Sequence, residues 1–273
     1  MSYATLMVNL DLEHSNDARL RIGADLAEKF GSHVIGIAAS YPSPQYYAGG
    51  AFASGLIAQE RSNARERMVE AEERFRASME KRAKSVEWRC EMSRPTDYVA
   101  REARAADLVI TGSDREGMLL NPLWRVDPSD LVMQAGRPIL IVPPKVDRLD
   151  LGHVLVAWKD TREARRAVTD ALPLLHHATE VNVMEVVEDG SEGVSARRRV
   201  DDVTAWLRRR GVSAFSRVVN ARKDAEEIQA IWENGADVVV AGAYGHTRLR
   251  ELVLGGVTRS LLTQSRHCSF LSH

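Results

Sequence analysis

The sequence lacks an excess of charge of either sign and is poor in cysteine. Its 273 residues include 37 basic and 38 acidic side chains, so its formal net charge is -1. This balance provides no long-range attraction to nucleic acids or to anionic membranes. The two cysteines, Cys90 and Cys268, stand far apart and in no metal-binding or redox spacing. We therefore expect no nucleic-acid partner, no metal site and two buried, reduced thiols.

Long apolar runs are also missing. No apolar stretch approaches the roughly 20 residues that a helix needs to span a bilayer. The first residues, MSYATLMVNLDLEHS, lack the basic region and apolar run of a signal peptide. Apolar residues make up 44% of the chain and charged residues 27%, which is typical of a soluble globular protein. We expect a cytoplasmic location and no membrane partner.

The common catalytic motifs are absent as well. The sequence contains no Walker A motif, no zinc-binding HExxH motif and no GxSxG nucleophile elbow. Phosphoryl transfer needs metal ligands and positioned charge, and neither these nor a general base stand out. We therefore predict no catalytic residues, and leave open a slow hydrolysis that accompanies nucleotide binding.

What the sequence does contain is an internal repeat. The segments AADLVITGSDREG (105–117) and GADVVVAGAYGHT (235–247) share a small-residue turn, an acidic residue, an apolar run and a glycine, at an offset of 130 residues. The same offset places Leu140 on Phe270 in an apolar segment that closes each copy. A repeat of this size indicates two related domains.

Each copy is predicted to alternate strands and helices. The segments ATLMVNLD (4–11) and HVLVAWKD (153–160) are apolar runs, and each precedes a helical period with Ser15 or Thr161 as the expected N-cap. The pattern continues as β-α-β-α-β-α-β-α-β in both copies. This alternation predicts an α/β fold with a parallel sheet and helices on both faces.

The two copies define the expected domains, 1–145 and 151–273. Between them, PPKVDRLDLG (143–152) carries two prolines and alternating charge, as expected of a linker. The first copy also has an extra segment, 41–55, whose proline, glycine and tyrosine content favours a surface loop. A long, charged helix is predicted after it, over 57–83.

The stretch with the clearest chemistry is GAYGHTRLRELVLGGVTRSLL, 242–262. Gly242 and Gly245 follow a predicted strand, and Gly255 and Gly256 come after a nine-residue spacer, directly before a predicted helix. Glycine lets the backbone approach a ligand closely, and the free N–H groups of a helix start favour phosphate. In open α/β sheets, ligands lie beyond the carboxyl ends of the strands, where this turn is expected.

This glycine spacing resembles the nucleotide loop of the universal stress proteins. The tandem arrangement, the order of strands and helices and the closing strand are similar to the two-domain branch of that family over essentially the whole chain. The resemblance implies two tandem five-stranded parallel-sheet domains, adenine nucleotide alpha hydrolase-like, with strand order 3-2-1-4-5. It also implies a regulatory role in stress adaptation and, in many members, a bound adenine nucleotide.

By this resemblance, the second copy binds ATP or a related adenine nucleotide, with or without Mg²⁺. The adenine is expected near the first and second strands of that copy, and the phosphates near the glycines. The residues assigned to the site are Ala157, Lys159, Val186, Ala241, Gly242, Gly245, His246, Gly255, Gly256, Val257 and Thr258. The two copies are expected to pack as an intramolecular pseudo-dimer that buries the closing strands at 138–142 and 269–271. Further homodimerisation is left open.

The sequence departs from the family's pattern in both copies. Gly256 stands where Ser or Thr is usual, with Thr258 as a nearby substitute for the lost hydroxyl. Lys159 stands where ATP-binding members carry an aspartate, which the first copy retains as Asp11. The first copy keeps Gly112, but Arg115, Arg125 and Val126 stand where the other three glycines would be.

These departures leave alternatives open. The glycines at the strand–helix turn have a purely structural explanation, which is tight packing. The chain would then be a protein or small-ligand interaction module that has lost ATP binding. Trp158 is expected either to stack on a base or to pack in the core, and His246 either to approach a phosphate or to lie in an exposed loop.

Overall fold

A computed structural model describes residues 2–41, 51–113, 124–187, 193–220, 235–243 and 267–273. These residues form two compact units, which we call the N unit (Tyr3–Arg137) and the C unit (Pro138–His273). The units divide between Arg137 and Pro138, just before the segment expected to be the linker. The predicted domain limits, 1–145 and 151–273, stay a prediction.

The N unit contains a parallel sheet with helices between its strands. The described strands lie in the order β3-β2-β1-β4, and β1 pairs in parallel with both β2 and β4. Its strands are β1 (Thr5–Asn9), β2 (His33–Ala39), β3 (Ser85–Glu91) and β4 (Leu108–Gly112). Its helices are α1 (Asp17–Phe30), α2 (Ala51–Met79), α3 (Pro95–Glu102, continued by a 3-10 turn) and α4 (Pro128–Gln134).

The C unit repeats this arrangement and extends it. Its strands are β5 (Ile139–Val142), β6 (His153–Ala157), β7 (Glu180–Val187), β8 (Ala214–Asn220), β9 (Val238–Gly242) and β10 (Cys268–Ser272). Its described helices are α5 (Arg162–Asp170), α6 (Leu172–Leu175) and α7 (Gly193–Arg208). The strands lie in the order β5-β10-β9-β6-β7-β8, so the second copy follows the predicted order 3-2-1-4-5 from β8 to β10.

The closing strand of the first copy makes the strand order more complex than predicted. This strand, β5, belongs to the C unit and pairs antiparallel with β10. Leu140 lies opposite Phe270, the residue that corresponds to it in the repeat. Both strands are buried along their whole length, as expected for the two closing segments. The C-unit sheet is therefore mixed rather than purely parallel.

Hydrogen bonds at the start of the two copies show which residues correspond. The N–H of Thr5 donates to Asp107 Oδ2 at 2.9 Å, and the N–H of His153 donates to Asp237 Oδ2 at the same distance. Because Thr5 corresponds to His153, Asp11 corresponds to Lys159 by counting along the chain. The structure thus supports the comparison of these two positions.

Helix α1 begins one residue later than predicted. Its N-cap is Asn16 rather than Ser15, whose hydroxyl instead accepts a hydrogen bond from the N–H of Asp17 at 3.2 Å. At the other end, Gly31 adopts a left-handed conformation (φ 65°) and terminates the helix as predicted. Six residues, 10–15, separate β1 from this N-cap, whereas three, 158–160, separate β6 from the N-cap of α5.

Three other expectations need correction. Helix α2 begins at Ala51, so the loop expected over 41–55 ends earlier, and residues 42–50 lie outside the described residues. The helix expected after Thr161 is divided into α5 and α6, with Pro173 in the first turn of the second. Cys90 is exposed rather than buried, whereas Cys268 is buried and its pKa is raised to about 12 by burial.

Candidate functional site

The carboxyl ends of three neighbouring parallel strands meet at one edge of the C unit, which we call the carboxyl edge. Ala157, the last residue of β6, lies in register with Ala241 on β9 and with Met184 on β7. Val186 lies two residues further along β7 and is half-buried. Three residues assigned to the site are therefore neighbours at the edge where open α/β sheets bind ligands.

Gly242 ends β9 and lies directly against the start of α5. A Cβ built on Gly242 would lie 2.5 Å from the main-chain nitrogen of Ala164 and 2.6 Å from the main-chain carbon of Glu163. Thr161 caps this helix as predicted, because its hydroxyl accepts a hydrogen bond from the N–H of Ala164 at 3.3 Å. Close packing of backbone on backbone therefore requires glycine here, whatever the ligand.

Lys159 lies at the surface between β6 and α5. Its side chain is exposed, and its main-chain oxygen accepts a hydrogen bond from the N–H of Thr161 at 2.7 Å. The neighbouring Asp160 pairs with Arg165 at 2.6 Å. Because Arg165 offsets the charge of Asp160, Lys159 places a positive charge beside the carboxyl edge.

Two buried polar groups near this edge lack partners among the residues that the structure describes. Trp158 is 7% exposed, and its indole Nε1 has no hydrogen-bond partner in that part of the chain. Glu163 is 1% exposed; its Oε1 accepts a hydrogen bond from Arg162, while its Oε2 is buried and without a described partner.

Burial alone would raise the pKa of Glu163, but hydrogen bonds from Arg162, its own main-chain N–H and Thr161 lower that pKa overall. The carboxyl group is therefore a buried anion.

The rest of the predicted site belongs to the glycine-rich segment, which lies outside the described residues. This applies to Gly245, His246, Gly255, Gly256, Val257 and Thr258. Their contacts stay predictions.

In the N unit, the loop that follows β1 is organised around Asp11. The main-chain N–H of Asp11 donates to Asn16 Oδ1, and its main-chain oxygen accepts from Asn16 Nδ2, both at 2.8 Å. The carboxylate Oδ1 accepts hydrogen bonds from the N–H groups of Glu13 at 2.8 Å and His14 at 3.1 Å. The side chain of Asp11 is thus already used to hold its own loop.

Two arginines complete this edge of the N unit. Arg125 Nε lies 3.2 Å from Asp11 Oδ2, and both side chains are nearly buried. Arg19 is buried and donates to the main-chain oxygen of Asn9 at 3.1 Å. A Cβ built on Gly112 would lie 3.3 Å from the guanidinium carbon of Arg19. Guanidinium groups therefore occupy the space next to the strand ends of the N unit. At the corresponding strand ends, the C unit has small residues.

A cavity of about 410 Å³ opens beside the same loop of the N unit. Residues 11–17 form one wall, and Arg67, Glu70, Ala71 and Arg74 of α2 form the other. Arg67 joins the walls through an ion pair with Glu13 at 3.2 Å. Since carboxylates and guanidinium groups both line the cavity, its charge does not favour a phosphate.

The roles of the two arginines do not follow from the sequence pattern. In that pattern Arg125 stands only in place of a glycine, and Arg19 has no function. The signal for Arg19 is its position on α1 between Ala18 and Leu20, in a run of buried residues where a cation needs a partner. No comparable signal connects Arg125 with Asp11, because the two are far apart in the chain.

Some kinds of site are not formed by the described part of the chain. Within it, no group of three or more His, Cys, Asp or Glu side chains is arranged to hold a metal ion. None of the described helices combines the length and apolar character needed to traverse a bilayer.

Comparisons with known proteins identify the fold. No model of a protein family and no curated protein matches the sequence. The structure is similar to a universal stress protein from Archaeoglobus fulgidus, with a TM-score of 0.72 and 15% identity over 98% of this chain and 95% of the other. It is also similar to a protein of unknown function from Pseudomonas aeruginosa, with a TM-score of 0.63 and 16% identity over 99% and 92% of the two chains. The chain therefore has the fold of a universal stress protein over nearly its whole length.

Proposed function

We propose that the C unit binds ATP or a related adenine nucleotide and that this binding serves regulation in a stress response. The glycine spacing over 242–256 carries the proposal, because it resembles a nucleotide loop and begins at the end of β9. The small side chains of Ala157 and Ala241 border the same edge on adjacent strands. Glycine-rich turns that lead into a helix suit phosphate groups without any catalytic side chain.

The geometry of the N unit supports one site per chain rather than two. There, Arg125 pairs with the carboxylate of Asp11, and Arg19 packs against Gly112. Opening a site at this edge would separate a nearly buried ion pair, which costs free energy. We therefore assign the nucleotide to the C unit alone.

A second candidate function is supported by Gly242 and Lys159. Gly242 has a packing reason to be glycine, and an exposed lysine replaces the aspartate of the resembled family. On this view the C unit docks a protein or a small apolar ligand instead of a nucleotide. The fold and the carboxyl edge would be the same in both cases.

Isothermal titration of the full-length protein with ATP, with and without Mg²⁺, distinguishes the two functions. We expect one ATP per chain and loss of binding in Gly255→Trp. The matched control is Gly55→Trp, because Gly55 is exposed on α2 and a Cβ built there meets no atom within 4 Å. Absence of heat, or unchanged binding in Gly255→Trp, would contradict nucleotide binding, and two ATP per chain would contradict the assignment to the C unit alone.

The remaining features of the proposal follow from the resemblance. We expect a cytoplasmic protein that binds rather than turns over its nucleotide, and homodimerisation stays a prediction. Steady ATP hydrolysis well above the background rate would favour an enzyme instead.

A further inference from the structure

The side chains of Trp158 and Glu163 are buried, and each has one polar atom without a partner in the described part of the chain. An indole N–H can only donate and a carboxylate oxygen can only accept, so the first needs an acceptor and the second a donor. A buried polar group without a partner loses its hydration and gains nothing in return. Among the described residues, nothing bonds to Trp158 Nε1 or Glu163 Oε2.

The N unit shows that the fold does not need polar groups at these positions. Trp158 corresponds to Leu10, since the main-chain N–H of each bonds to the neighbouring strand at the same point, Leu10 to Ile37 and Trp158 to Met184. Glu163 is the second residue after the N-cap of α5, and Ala18 is the second after the N-cap of α1. Leu10 and Ala18 are both buried and apolar. The C unit alone carries a donor and an acceptor there.

Both groups stand where the C unit is expected to meet its ligand. Trp158 directly follows β6, and its main-chain N–H bonds to the oxygen of Met184 at 2.7 Å. The main chain of Glu163 lies against Gly242 at the end of β9. Trp158 therefore begins the short connection between β6 and α5, and Glu163 lies in the first turn of α5, both beside the carboxyl edge.

We propose that Trp158 and Glu163 recognise the base of the ligand, the indole N–H donating to a ring nitrogen and Glu163 Oε2 accepting from an adjacent amino group. This inference rests on the proposed nucleotide function and assigns the 6-aminopurine edge of the ligand to these two side chains. A phosphate does not fit beside Glu163, because two anions buried together repel each other. A base with an amino group next to a ring nitrogen satisfies both residues. The ring nitrogen accepts from the indole N–H of Trp158, and the amino group donates to Glu163 Oε2.

Titrations of the full-length protein with ATP and with purine riboside triphosphate, which lacks the amino group, test the proposal. We expect ATP to bind about tenfold more tightly than purine riboside triphosphate to the unaltered protein. Glu163→Ala, which installs the residue of the N unit, should weaken ATP binding and abolish this preference. Trp158→Phe should weaken the binding of both nucleotides by about three- to tenfold. The control, Trp206→Phe, alters a residue of α7 that packs under Arg210, and should change neither affinity.

A second measurement reads the indole group directly. The chain has five tryptophans, so a ¹⁵N-labelled sample gives five indole resonances, and the one missing in Trp158→Phe belongs to Trp158. Addition of ATP should shift this resonance. If ATP binds but leaves the resonance and both variant affinities unchanged, the inference is wrong and the proposed function stands. If ATP does not bind to the unaltered protein, both are wrong.

Discussion

The two units have the same strand order around their first strands, β1 and β6, but different residues pack at the carboxyl ends of these strands. In the N unit, a six-residue loop is held by Asp11 and Asn16, and Arg19 and Arg125 pack against the strand ends. In the C unit, the connection has three residues, and the backbone of α5 lies directly against Gly242. One copy therefore fills the space at its strand ends with charged side chains, whereas the other keeps small residues and close backbone packing there.

The largest expected effect comes from removing the close approach in the C unit. In Gly242→Ala, the new methyl group would collide with the backbone of Ala164, which cannot move without shifting α5. Overpacking of this kind costs about 3 kcal/mol of unfolding free energy. Urea unfolding measures the loss, and labelling of the buried Cys268 thiol reports opening of the C unit.

The matched change in the N unit is Gly112→Ala. Its new methyl group would meet the end of the Arg19 side chain at 3.3 Å, and a flexible side chain can move aside. We expect a loss of about 1 kcal/mol or less. Equal losses in the two variants would show that both units are packed in the same way at these glycines, and would contradict the difference described above.

The next largest effect concerns the ion pair of the N unit. Asp11→Ala removes the ion pair with Arg125 and two hydrogen bonds from the loop N–H groups, so we expect a loss of about 2 kcal/mol. Lys159→Ala changes the corresponding residue of the C unit, whose side chain is exposed, and should alter stability by less than about 0.5 kcal/mol. Thermal unfolding of both variants checks this difference. A stable Asp11→Ala variant would mean that Arg125 does not depend on Asp11.

Sequence patterns predict most of the strands and helices, but only part of the contacts at the carboxyl ends of the strands. Strands such as β4 and β9 are short apolar runs with a strong periodic signal, and the repeat locates both at once. The pairing of Arg125 with Asp11 is not predictable in this way, because it depends on a tertiary contact between distant segments. That Trp158 Nε1 and Glu163 Oε2 have no partner among the described residues also emerges only in three dimensions, since burial is what makes these atoms unusual.

The smallest of the three main effects concerns two buried carboxylates with different surroundings, Glu102 in the N unit and Glu185 in the C unit. Glu102 of the N unit is contacted by Arg89 at 2.7 Å, Arg104 at 3.0 Å and Arg101 at 3.4 Å, whereas Glu185 of the C unit pairs with Arg199. Burial alone would raise the pKa of Glu102, but the hydrogen bond from Arg89 and the charge of Arg104 lower that pKa overall.

A carboxyl group with a lowered pKa in the folded state stabilises the fold above its unfolded pKa, which is about 4.3 for glutamate. This contribution is lost as the pH falls through the folded pKa of Glu102. Glu102→Gln should therefore lower the unfolding free energy by about 1 kcal/mol at pH 7 and by progressively less below about pH 4.3. Urea unfolding between pH 3 and 7 measures the difference, with the exposed Glu73→Gln as control. A difference that does not change with pH would show that the three arginines act by packing alone, and that charge does not distinguish this part of the N unit.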